Sequence, residues 1–140
     1  MELKRVVVTG LGAITPIGNN VKDFWEGLAS GRNGVAEITR FDSSKFKTHF
    51  AAEVKDFNPL DYFERKEVRK HDLFAQFLLI AADEAIASSH ITPINTDFDG
   101  VGVVLTAGIG GEGPCLFLFT ADPLHLAHVH HLKIFNIIYI

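Results

Sequence analysis

The stretch Val6–Gly18, "VVVTGLGAITPIG", runs three β-branched residues straight into a glycine-rich turn. A strand entering a phosphate loop has this form, so the first question is whether the turn cradles a nucleotide. A dinucleotide fingerprint needs G-x-G-x-x-G. Gly10 and Gly12 fill the first two places, but the sixth is Thr15 and Pro16 follows it. The third glycine normally lets the helix approach the strand. Pro16 also delays the helix, which carries its free N–H groups away from the first turn. The acidic ribose partner would fall near Glu37 or Asp42, where no clear strand ends. A Walker lysine with its Ser/Thr is absent. The residues therefore favour a structural turn without a bound cofactor.

Working outward, Leu3–Val8 reads as a buried strand, and Asn20 is placed to cap a helix from Val21. Val21, Phe24, Trp25 and Leu28 fall on one apolar face, and Gly31 marks the stop. "HFAAEV", His49–Val54, is a weaker strand. Arg65–Ser88 reads as one long helix, with Phe74, Phe77, Leu78, Ala81, Ala85 and Ile86 on a shared face. Thr92–Asp99 is a loop, and Val101–Leu105 a second buried strand running into "TAGIGG". Strand, helix, helix, strand predicts an α/β layer.

The 140 residues, 47% hydrophobic and 21% charged, suffice for one modest domain. A net charge of −4 does not suggest nonspecific nucleic-acid binding. Cys115 is the single cysteine, so no internal disulfide forms, in keeping with a reducing compartment. Glycines and Pro16 interrupt the N-terminal apolar run, which argues against a signal peptide. No stretch is long and apolar enough for a membrane-spanning helix. The expectation is a cytoplasmic protein with no membrane or nucleic-acid partner.

From Glu112 the text changes to "EGPCLFLFTADPLHLAHVHHLKIFNIIYI", rich in aromatics and histidine and without sustained periodicity. His125, His128, His130 and His131 invite a metal reading, but no cysteine or carboxylate completes a recognised ligand spacing. No metal is expected there. His49, His71 and His90 are isolated and read as structural or exposed.

"RVVVTGLGAITPIGNN" and "FWEGLASGRNG" together resemble the start of a type II β-ketoacyl-acyl-carrier-protein synthase. The resemblance continues through "ITRFDSSKF", "AAEVKDFNP", "RKEVRKHDLFAQF" and "DGVGVVLTAGIGG", covering Met1 to about Gly111. It implies an α/β chain forming part of the N-terminal half of a thiolase-like α-β-α-β-α layered fold. Residues 1–111 then read as a partial synthase domain and 112–140 as a divergent tail. The implied activity is decarboxylative condensation of malonyl-carrier protein with an acyl chain in fatty-acid biosynthesis. The family usually works as a homodimer and needs no metal or organic cofactor for this step. Its partner is the acidic acyl carrier protein.

By the same resemblance, Ile109 in "AGIGG" occupies the position that lines and gates the acyl pocket, although it equally reads as a core residue at a strand end. Lys66, Arg69 and Lys70 match basic positions that receive the carrier protein. From spacing alone they share a helix face with Arg65 nearby, which also suits a solvated face partly paired with Glu64 and Glu67. The family's nucleophilic cysteine, its two histidines and its lysine lie beyond the matched region. Cys115 follows Pro114 and precedes an apolar run, unlike that nucleophile turn. No catalytic residue is assigned in the chain, which is expected to be inactive alone. The abrupt loss of resemblance is read as a truncation or frame shift. The alternative function is a non-catalytic, carrier-binding fragment.

Overall fold

The computed structural model describes residues 6–92, 94–97, 99 and 101–102. Its organising element is α3, Leu73–Ser89, preceded by α1 (Val21–Ala29), β1 (Ala36–Glu37), β2 (Phe50–Ala51), a 3-10 turn (Pro59–Asp61) and α2 (Arg65–Val68). Helix α3 is rich in alanine and leucine, both strong helix formers. Its small residues Ala81 and Ala85 are fully buried, which lets other backbone come close.

The single helix expected over Arg65–Ser88 is two. The chain leaves α2 at Arg69 and restarts at Asp72, the N-cap of α3. Gln76 explains how the break is tolerated. Its side-chain amide donates to the carbonyls of His71 at 2.7 Å and Val68 at 3.3 Å. These are acceptors that the end of α2 leaves without helical partners. The apolar face is also only partly covered. Phe77, Ala81 and Ala85 are buried, whereas Ile86 is 49% exposed.

The core forms where the glycine-rich segment crosses α3. Ile14 is fully buried against Phe77, Ile80 and Ala81, with Val54, Phe57, Phe63 and Leu73 around them. Gly10 and Gly12 allow this crossing. A Cβ on Gly12 would run into the Ala81 carbonyl oxygen and lie 2.7 Å from its carbon. One on Gly10 would collide with the Ala85 carbonyl oxygen and come within 2.8 Å of Ser89.

The buried strand expected over Leu3–Val8 is not found in its described part. Val6, Val7 and Val8 are in no strand and are 73%, 65% and 58% exposed. A strand needs a neighbouring ladder for its N–H and C=O groups and cover for its faces. Among the described residues nothing pairs with these three valines. Val101 and Gly102 are likewise outside any strand, and the rest of Val101–Leu105 lies outside the described residues.

Helix α1 starts as expected. The Asn20 side chain accepts the Asp23 N–H at 2.8 Å. Gly31, just past the Ser30 cap, has φ 67°, the left-handed conformation glycine adopts freely. Of the apolar face, Trp25 and Leu28 stay exposed. The expected His49–Val54 strand shrinks to Phe50–Ala51, paired antiparallel with Ala36–Glu37, a strand the sequence did not announce. Just beyond this hairpin Glu53 accepts from the Thr39 hydroxyl at 2.8 Å and N–H at 3.2 Å. The Thr39 hydroxyl, aided by backbone N–H groups and the nearby Arg40 charge, holds the Glu53 carboxyl below its ordinary range. Among the described residues no helix is long and apolar enough to cross a membrane.

Candidate functional site

The glycine-rich turn is held shut by α3. Glu84 contributes most, because one carboxylate oxygen accepts the Ala13 N–H at 3.0 Å. The other accepts the Val21 N–H, in the first turn of α1, at 2.9 Å. The Ser88 hydroxyl accepts the Leu11 N–H at 3.1 Å. The Thr15 N–H donates to the Gly18 carbonyl at 2.9 Å, and the Ile17 N–H donates to the Thr15 hydroxyl at 3.3 Å. A phosphate loop presents such amides to its ligand and keeps anions of its own away. Here protein groups use them, and one of those groups is a carboxylate. A cavity of about 420 Å³ opens beside the turn, bordered by Asn19, Asn20, Tyr62, Phe63, Ile80 and Asp83. Glu84 also lines it, with both oxygens already engaged. Titration with labelled NAD or NADP is expected to give no saturable signal. Micromolar binding would show that the Glu84 contacts open to admit a phosphate.

The basic cluster is a different kind of surface. Arg65 and Lys66 lie in α2, Arg69 caps it, and the Lys70 N–H returns to the Glu67 carbonyl at 2.8 Å. All four residues are exposed. Lys66, Arg69 and Lys70 thus follow one another around a single short turn rather than along one long helix. Glu64 and Glu67, the acids expected to pair with part of this cluster, also act on backbone. Those two acids make a reciprocal capping box at the start of α2, and the Glu67 carboxylate accepts the Glu64 N–H at 3.3 Å. Among the described residues, Arg65, Lys66 and Arg69 form no ion pair with either acid, while Arg40 and Glu53 do pair, at 3.9 Å. Sequence reasoning missed this box, because Glu64 is not one of the Ser, Thr, Asp or Asn residues that normally mark such a cap.

Ile109, Cys115 and the histidines from His125 onward lie outside the described residues. His49, His71 and His90 sit apart, and among the described residues no three His, Cys, Asp or Glu side chains gather as a metal set. The partners of the glycine turn, Glu84 and Ser88, were missed by sequence reasoning. No local pattern marks a residue that acts 71 or 77 positions away.

Comparison with known proteins gives the family and the fold. Residues 3–131 match the family described as "Beta-ketoacyl synthase, N-terminal domain". A 3-oxoacyl-(acyl-carrier-protein) synthase 2 of Synechocystis sp. is 48% identical over 111 residues, covering 79% of this chain and 27% of that protein. Its namesake from Coxiella burnetii is 47% identical over 111 residues, again 79% and 27%. The Staphylococcus aureus protein of that name is 44% identical over 108 residues, 77% and 26%. Among solved structures, "The ishigamide ketosynthase/chain length factor" superposes with a TM-score of 0.58 at 35% identity, covering 65% of this chain and 23% of that one. The chain therefore spans about a quarter of the length of the curated relatives it matches. Its fold is α/β, part of the N-terminal half of a thiolase-like layered fold.

Proposed function

We propose, from the premise that this chain belongs to the β-ketoacyl synthase family, that it serves 3-oxoacyl-(acyl-carrier-protein) synthesis in fatty-acid biosynthesis. In that reaction a malonyl thioester loses carbon dioxide. The resulting carbanion attacks an acyl thioester, forming a carbon–carbon bond and releasing the thiolate that held the acyl group. We assign none of the reacting groups to this chain. The sequence around Cys115, "GEGPCLFLF", is unlike the family's nucleophile motif, and no catalytic role is assigned to the histidines from His125 onward. Ile109 is proposed as a wall of the acyl pocket on its position in "AGIGG".

The part of the activity served by the described residues is reception of the acyl carrier protein at Lys66, Arg69 and Lys70. The observation that carries this reading is the capping box. Glu64 and Glu67 engage backbone there, and among the described residues Arg65, Lys66 and Arg69 form no ion pair with these two acids. A homodimer in the cytoplasm, without metal, organic cofactor, nucleic acid or membrane, completes the proposal.

Exposed ion pairs are worth at most about 1 kcal/mol each. The chain's net charge of −4 also opposes an acidic partner at long range. Association is therefore expected to be weak and to fall steeply with salt. Titrating isotope-labelled acyl carrier protein with the 140-residue chain should give fast-exchange shifts that shrink with added salt. The double variant Lys66→Glu/Arg69→Glu should largely abolish them. Equal shifts from that variant would mean that the turn is merely solvated and would end the docking reading.

A further inference from the structure

We infer that Leu60 and Tyr62 form an apolar anchor beside the basic turn, and that they receive an exposed apolar side chain of the same acidic carrier partner. The inference rests on the docking reading above and adds what charge alone does not supply, a desolvated contact. Interfaces draw most of their affinity from a few such contacts, with tyrosine prominent among them, while rim charges steer the encounter.

Three features of this chain make the assignment. The first is exposure. Leu60 is 48% and Tyr62 50% exposed, on a 3-10 turn that contacts α2. The second is rigidity. The Tyr62 ring stacks on Phe57, with centroids 5.8 Å apart and planes 12° from parallel. Phe57 in turn meets the buried Phe77 edge-on at 4.8 Å. An aromatic column thus runs from the core to the surface, so Tyr62 loses little freedom when a partner covers it. The backbone below is fixed as well. The Asn58 side chain accepts the Leu60 N–H at 3.3 Å, and the Phe63 N–H donates to the Pro59 carbonyl at 2.9 Å.

The third feature is charge. Asp61, the acid between the two apolar residues, accepts from the Asn58 amide at 2.8 Å. With Glu64 and Glu67 in their capping box, the nearby acids are turned to local contacts while Arg65, Lys66 and Arg69 stand exposed. Trp25 and Leu28 are as exposed, but they sit on α1 with Asp23 and Glu26 against Lys22 alone. An acidic partner is matched by the first patch and opposed by the second.

The test compares Leu60→Ser with Lys66→Glu/Arg69→Glu in the 140-residue chain, titrated into labelled holo acyl carrier protein at low and high salt. Leu60→Ser leaves the Phe57–Tyr62 stack in place, so it reads the surface rather than folding. It is expected to weaken binding about fivefold at both salt concentrations, with the salt dependence unchanged. Tyr62→Ser should weaken binding at least as much. The charge reversal should instead abolish most of the shifts at low salt. If both serine variants bind like the parent chain while the reversal still weakens binding, the anchor is refuted and the docking turn stands. If the reversal has no effect, or the parent chain produces no shifts, the docking reading falls and takes the anchor with it.

Discussion

Replacing Glu84 with alanine is expected to lower the stability of the chain by about 3 kcal/mol, read as a shift of the denaturant midpoint with an unchanged slope. One carboxylate closes two unrelated backbone positions, the Ala13 amide in the glycine turn and the Val21 amide at the start of α1. Ala13 is 4% exposed, so water is poorly placed to replace the lost acceptor. Hydrogen bonds to charged groups contribute about 1.5–3 kcal/mol each, and a buried N–H left unpaired costs a further desolvation term. Solvent reaches the start of α1 more readily, which keeps the total below the sum of two full losses. Glu84→Gln should cost less than alanine, since it keeps one acceptor while presenting an N–H to the other amide. A Glu84→Ala midpoint equal to that of the parent would show that the turn does not depend on this bridge.

Gly12→Ala is expected to cost a comparable amount, about 2–4 kcal/mol, because the new methyl would be driven into the backbone of α3. The obstruction is the Ala81 carbonyl, with the Ala85 nitrogen 3.0 Å away, and neither can rotate aside as a side-chain end could. The turn would have to lift from the helix, pulling Ile14 out of its contact with Phe77 and Ala81. Gly31→Ala is the control. Gly31 has φ 67° but open space where its Cβ would stand, so alanine there meets only the left-handed strain of about 1 kcal/mol. Thermal or denaturant unfolding should rank Gly12→Ala well below Gly31→Ala. The reverse order would mean that the glycine turn does not lie against α3 as described.

Family and α/β class were legible because they rest on contiguous text, such as "TGLGAITPIG" and "RKEVRKHDLFAQF". The start and stop of α1 were legible for a similar reason. Asn20 and Gly31 act on backbone within a few residues of themselves. The basic turn was legible as a set of residues but not as a shape. Helical periodicity runs through Arg69–Asp72 without interruption, whereas the chain turns there, with Gln76 satisfying the carbonyls it leaves behind.

The sequence by itself determined what depends on near neighbours: the helix caps, the glycines that permit a close crossing, and the absence of a complete dinucleotide fingerprint. Tertiary structure alone decided who receives the amides of the glycine turn, because Glu84 and Ser88 meet them across more than seventy residues. It also decided which apolar residues are covered. Ile14 is buried and Tyr62 half exposed, although both are large apolar-bodied residues in turn-rich text. Burial depends on what the rest of the chain brings alongside, and no local spacing records that.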